Sequence, residues 1–85
     1  MIEKRATIGA DHPALPGHFP GEPIVPGVVL LNEVLKAIPR RMNVPSAKFH
    51  SPLRPGEEFA IRIDGHRFSV HRGDTLIASG SLRPA

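Results

Sequence analysis

Half of the prolines in this 85-residue chain fall in one stretch of fourteen residues. Five of the ten lie between Pro13 and Pro26. Proline fixes φ and has no backbone donor, so residues 11–27 cannot form a regular helix or a central strand. Leucine, isoleucine, valine and phenylalanine together number 24, which is enough for a core. We therefore interpret the proline-rich stretch as an ordered loop in a folded domain.

Length and composition exclude several classes of protein. The chain is long enough for one domain, which we take to be residues 1–85. It has no cysteine, which excludes disulfides and thiolate metal sites. No apolar run approaches the roughly 20 residues of a membrane span, and the first residues lack the apolar core of a signal peptide. We expect a cytoplasmic protein.

The positive charge does not indicate a nucleic-acid-binding protein. The formal net charge is +3, but the basic residues are scattered and the chain has neither Trp nor Tyr to stack on bases. The tripeptide Arg72-Gly73-Asp74 is typical of a hairpin turn, and we do not read it as an adhesion motif.

A helix is predicted over residues 28–38, between Pro26-Gly27 and Pro39. Apolar side chains cover most of its circumference, and its three polar residues fall within an arc of about 100°. These are Asn32, Glu33 and Lys36. Such a helix must be buried on most sides, and in so short a chain only a wrapped sheet could bury it.

The rest of the chain predicts strands. Residues 2–10, 47–53, 58–64, 66–71 and 75–82 are strand-like, and hairpin signals fall at Asp64-Gly65 and at Arg72-Gly73-Asp74. The predicted fold class is α+β, with an antiparallel sheet around one central helix.

The stretch from His18 to Val28 resembles the active-site loop of hot-dog-fold 3-hydroxyacyl-ACP dehydratases of type II fatty-acid synthesis. That family carries H-F-P-G-x-P-x-x-P-G-V, and this chain reads HFPGEPIVPGV at 18–28. A second segment, KFHSPLRPGE at 48–57, is similar to the family's K-F-x-x-P-x-x-P-G-D. The resemblance covers about residues 4–82. It implies a hot-dog fold, a homodimer or higher oligomer with sheets joined edge to edge, and active sites at the interface.

The same resemblance assigns roles in the site. It places the catalytic base on His18 and the carbonyl donor on the backbone N–H of Gly27, where the helix begins. Phe19, Val28 and Val29 would line the acyl chain. The implied substrate is a thioester of acyl carrier protein or coenzyme A, and neither cofactor nor metal is implied.

The helix half of the motif departs from the family. Those dehydratases place a Glu or Asp five residues after the glycine, and this chain has Asn32 there. Their frequent glutamine four residues further on is Lys36 here. Glu33 is the nearest carboxylate, but it lies about 100° around the helix. The chain also resembles a compact member of a longer family.

Dehydration of a 3-hydroxyacyl thioester is the favoured activity, and we expect an enzyme. The reaction needs a base for the α-proton and a proton donor for the departing hydroxyl, and Asn32 cannot donate a carboxylic proton. Two alternatives stay open: a hot-dog acyl thioesterase, and an acyl- or carrier-binding module without chemistry. The remaining histidines show no spacing that demands a metal.

Overall fold

The computed structural model describes residues 1–9 and 24–85. It contains one helix and five strands. In chain order these are β1 (Ile2–Thr7), α1 (Gly27–Lys36), β2 (Met42–Phe49), β3 (Glu58–Asp64), β4 (Arg67–Arg72) and β5 (Thr75–Pro84). The strands form a single sheet in the order β1-β3-β4-β5-β2, and every neighbouring pair is antiparallel. The predicted α+β class, an antiparallel sheet with one helix, is confirmed at this level.

Two tight hairpins join the centre of the sheet. Asp64 pairs with Arg67 across the β3–β4 turn, and Arg72 pairs with Thr75 across the β4–β5 turn. Each two-residue loop begins with a glycine at positive φ, 59° at Gly65 and 57° in the second turn, as such hairpins require. Both predicted turns are therefore confirmed, and they produce the β3–β4–β5 meander.

Strand β2 differs most from its prediction, which placed it at 47–53. It runs from Met42 to Phe49 and so contains Pro45. A proline is tolerated there because β2 is an edge strand of the described sheet, in which it pairs with β5 alone, and the register shifts between Asn43 and Ser46. The first strand is also shorter than predicted, ending at Thr7 instead of residue 10.

Helix α1 is buried on one side only, which differs from the predicted burial on most sides. Val29, Leu30 and Val34 are buried, whereas Val28 is 64% exposed. One sheet layer can cover one face of a helix, and within the described residues no second layer covers the other. The helix also ends at Lys36, before the residues preceding Pro39.

The core lies between α1 and one face of the sheet. Its largest fully buried side chains are Phe59, Leu53, Ile61, Ile77, Val34 and Val70. No helix in the described ranges is long and apolar enough to cross a bilayer.

Candidate active site

A cleft of about 350 Å³ opens at the first residue of α1. One wall is the segment that enters the helix, residues 24–27. The other is the end of β2 and the loop after it, residues 49–53. Most of the lining is apolar, which suits a cleft for an aliphatic group.

The N-terminus of α1 lies at this cleft. Pro26 is the N-cap residue, in extended conformation, and no side chain of residues 1–9 or 24–85 hydrogen-bonds to the helix end. The N–H groups of Val29 and Leu30 both donate to the carbonyl oxygen of Pro26, at 3.0 and 3.4 Å. The first N–H groups of a helix have no intrahelical acceptor, so those of Gly27 and Val28 are left for a ligand. This arrangement can stabilise negative charge on a carbonyl oxygen.

The ring of Phe49 lies directly over Gly27. A Cβ built at residue 27 would come within 2.6 Å of the ring's Cζ and 2.9 Å of its Cε1. The Phe49 side chain is nevertheless 53% exposed, so it forms a rim and is not part of the core. Glycine at position 27 therefore lets an aromatic wall stand against the helix N-terminus.

Apart from Asn32, the predicted site residues fall into three groups. His18 and Phe19 lie outside the described residues. Gly27 opens α1, as predicted, and Val28 next to it is exposed. Val29 is 4% exposed and packs in the core of the chain.

Asn32 lies on the exposed side of α1. Along the helix it is about 7.5 Å from Gly27, given a rise of 1.5 Å per residue. The neighbouring carboxylate of Glu33 accepts a 3.1 Å hydrogen bond from Lys36 Nζ, one turn further along. Glu33 is thus engaged with Lys36, whereas the side chain of Asn32 is uncharged.

The histidines of the described part of the chain do not assemble a metal site. His50 Nε2 is 2.9 Å from Ser79 Oγ, and His71 Nε2 is 2.9 Å from Ser69 Oγ. The two serines pair across β4 and β5, on the sheet face opposite the core. Within residues 1–9 and 24–85 no three ligating side chains come together.

The chain matches the model of a known protein family along nearly its whole length. A family model described as ApeI-like, ApeI dehydratase, matches residues 1–81. The chain belongs to the ApeI-like dehydratase family. The predicted relationship to 3-hydroxyacyl-ACP dehydratases is thereby confirmed.

Curated proteins similar to this ApeI-like chain carry the name 3-hydroxyacyl-[acyl-carrier-protein] dehydratase FabZ. The protein from Aliarcobacter butzleri is 32% identical over 95 aligned positions, which cover 89% of this chain and 62% of the relative. The protein from Thermus thermophilus is 37% identical, covering 85% of this chain and 49% of the relative. The chain thus spans about half to three fifths of the length of these relatives.

The first alignment is longer than the chain itself. It has 95 positions against 85 residues, so gaps fall within the matched part of this ApeI-like chain. Segments inside the relative's matched region therefore have no counterpart here.

Sequence reasoning did not assign the second wall of the cleft. Phe49, Pro52 and Leu53 line it, and all three lie in the second family-like segment, 48–57. The resemblance of that segment to the family was the available signal for a site residue, but its apolar residues were interpreted as part of a strand and a turn. Their position beside Gly27 follows from a tertiary contact between residues more than twenty positions apart.

Proposed function

We propose that this chain is a hot-dog acyl-thioester enzyme that dehydrates 3-hydroxyacyl groups carried by acyl carrier protein or coenzyme A. The observation that carries the proposal is the N-terminus of α1 at Gly27, which no side chain of the described residues caps and which borders an apolar cleft. The family match and the names of the FabZ relatives support the reaction class. The strand order β1-β3-β4-β5-β2, with one helix on one face, supports the hot-dog fold. A cytoplasmic location belongs to the same proposal.

The proposed mechanism divides the chemistry between loop and helix. His18 removes a proton from the carbon next to the thioester carbonyl. The electron pair moves onto the carbonyl oxygen, where the Gly27 N–H and the helix dipole stabilise the charge. When the pair returns, the bond from carbon 3 to its hydroxyl breaks. The hydroxyl takes a proton and leaves as water, producing the enoyl thioester.

The leaving hydroxyl needs a proton donor in addition to the base. Asn32 has no acidic proton, and Glu33 is bonded to Lys36. A water molecule held near Asn32 can relay the proton from His18. The same arrangement favours a second candidate, hydrolysis of the thioester, because a water placed there can attack the polarised carbonyl.

A second copy of the chain is part of the proposal, and β2 is the edge at which we place it. The other edge strand, β1, exposes Glu3, Lys4 and Arg5, and charges of this kind oppose edge-to-edge pairing. Strand β2 carries a single charge, Lys48, together with half-buried Met42, Val44 and Ala47 and the exposed ring of Phe49, and Pro45 removes one donor at a point where the register already shifts. Helix α1 lies nearest to β2 among the strands, so this pairing would bring two helices and two clefts together.

The test is to supply the protein with a 3-hydroxyacyl thioester and, separately, a saturated acyl thioester. Enoyl absorbance and free thiol are followed in both reactions. We expect enoyl product from the first substrate and a loss of about 10²–10⁴-fold in its rate for His18→Ala. The matched control is His66→Ala, which removes an exposed histidine in the β3–β4 turn.

Each other outcome contradicts the dehydratase assignment. Thiol release without enoyl product identifies a thioesterase. Binding of acylated carrier with neither product identifies a binding module. A fully active His18→Ala variant would overturn the mechanism whichever product forms.

A further inference from the structure

The loop between β2 and β3, residues 50–57, holds both ends of the stretch that contains His18. The N–H of Val25 donates to the carbonyl oxygen of Leu53, at 2.7 Å. The N–H of Gly56 donates to the carbonyl oxygen of Ile8, at 2.8 Å. Ile8 precedes residues 9–24 and Val25 follows them, and both are hydrogen-bonded to one four-residue stretch of this loop, 53–56. We call residues 50–57 the platform loop.

The platform loop is fixed to the sheet at its beginning and to the core at its centre. The N–H groups of His50 and Ser51 both donate to the carbonyl oxygen of Ile77 in β5, at 2.8 and 3.3 Å. The Leu53 side chain is 1% exposed and packs in the core. A shift of this loop would therefore move the anchors of Ile8 and Val25 together.

Beyond Ser51 the backbone of the loop cannot form a regular hydrogen-bond ladder. Pro52 and Pro55 have no N–H, so two donors are missing from a stretch of four residues. One backbone hydrogen bond closes this part of the loop, from the N–H of Glu57 to the carbonyl oxygen of Arg54 at 3.2 Å, and side-chain hydrogen bonds add to it.

Arg72 and Glu57 supply those hydrogen bonds. Arg72 Nη1 donates to the carbonyl oxygen of Pro52 at 2.8 Å and to Glu57 Oε1 at 3.2 Å. The same Glu57 oxygen accepts the N–H of Arg54 at 2.7 Å. The two side chains are 30% and 33% exposed, so they are partly shielded from water. The last residue of β4 is thereby hydrogen-bonded to Pro52 directly, and through Glu57 to the second half of the platform loop.

We propose that Arg72 and Glu57 are positioning residues, which lock the platform loop and through it both anchors of the His18 stretch. This also gives a role to the Arg-Gly-Asp tripeptide at the β4–β5 turn, since its arginine is directed at the platform loop. The effect on catalysis rests on the proposed function, whereas the effect on the anchors does not.

The experiment measures amide hydrogen exchange of Val25 and Gly56 in the full chain, together with steady-state kinetics on a 3-hydroxyacyl thioester. The variants are Arg72→Met, Arg72→Lys and Glu57→Gln. The matched control is Arg62→Met, which removes an arginine facing Glu3 at 3.9 Å on the outer surface of the sheet. Exchange of Ile61 and Val70, paired at the centre of the sheet, reports whether the fold is intact.

We expect Arg72→Met to speed exchange at both anchors at least about tenfold, because the variant loses both of the charge-assisted hydrogen bonds that Arg72 Nη1 donates. The sheet amides should not change. The kcat should fall by a similar factor with a smaller change in KM, because the lock orients a group and does not contact the acyl chain. Arg72→Lys should recover part of both effects, since one ammonium can satisfy Pro52 or Glu57. Arg62→Met should behave as the unmodified chain.

Unchanged exchange at Val25 and Gly56 in both Arg72→Met and Glu57→Gln would overturn the proposal. Faster exchange in the sheet as well as at the anchors would also overturn it, because the pair would then support the whole fold. If the unmodified chain forms no enoyl product, the proposed function fails, while the exchange result still decides whether the lock exists.

Discussion

Phe49 occupies the space that a side chain on Gly27 would need. The ring stands 2.6 Å from the position of a Cβ at residue 27, yet about half of its surface is exposed. A glycine at the helix N-terminus and an aromatic ring at the end of β2 thus define the cleft jointly. Any residue other than proline at position 27 keeps the backbone N–H donor. A mutation can therefore fill the space beneath the Phe49 ring without removing that donor.

Gly27→Ala is expected to lower activity without unfolding the protein. The new methyl group collides with the end of an exposed ring, which can swing away, and alanine favours the helix by about 0.5–1 kcal/mol. We expect the free energy of unfolding to change by less than about 1 kcal/mol. The kcat/KM for enoyl formation should fall about tenfold because the displaced ring enters the cleft.

The control is the double variant Gly27→Ala, Phe49→Leu. Leucine lacks the atoms that collide, so the double variant should be more active than Gly27→Ala alone. Equal activity of the two would contradict the steric explanation. Denaturant unfolding of all variants separates the effect on the cleft from an effect on the fold.

Gly80 in β5 differs from Gly27 because its surroundings cannot move to make room for a side chain, so its substitution should destabilise the fold. A Cβ there would collide with the backbone oxygen of Ser46 and lie 2.5 Å from the ring of Phe68. That ring is 3% exposed and cannot swing away. We expect Gly80→Ala to lower the free energy of unfolding by about 1–3 kcal/mol, measured by urea denaturation. Ser81→Ala, on the opposite sheet face, should cost less, and an equal loss would contradict the packing argument.

The sequence predicted the sheet better than it predicted the surroundings of the helix. Strand β3 was predicted at its observed bounds, since alternating apolar residues and a Gly-containing turn are local signals. The edge position of β2 is not a local signal, and the strand was predicted to begin only at residue 47, although an edge strand tolerates Pro45 because the N–H that proline lacks has no partner strand to bind there. Likewise, an apolar helix face predicts burial but does not say whether this chain or a second copy provides it.

Val28→Asp is expected to weaken association of two chains. Val28 is 64% exposed in the single chain and lies in the first turn of α1, the helix that contacts β2. A charge buried there by a second copy would lack a partner, so the dimer dissociation constant should rise at least about tenfold. Sedimentation equilibrium measures this. Lys4→Asp on the opposite edge, β1, is the control, and an equal effect of both would contradict association at β2.

The candidate site was predictable where its residues are close in sequence. Gly27 was expected at the start of the helix from the motif before it, and it is the first residue of α1, while its role as carbonyl donor stays a prediction. The roles of Phe49 and Arg72 were not predictable, because each depends on a contact between distant segments. His18 stays a prediction, since it lies outside the described residues.

Asn32 offers a test in which activity should increase. It lies exposed on α1 at the position where the resembling dehydratases carry a carboxylate, and no core contact depends on it. If the chain is a dehydratase limited by proton delivery, Asn32→Glu should raise kcat for enoyl formation, with up to about 10²–10⁴-fold available from a general acid. Glu33→Gln is the matched control, because it removes a nearby carboxylate that is bonded to Lys36. Enoyl absorbance under single-turnover conditions measures the chemical step. If Asn32→Glu leaves enoyl formation unchanged but abolishes thiol release, Asn32 holds the attacking water and the chain is a thioesterase.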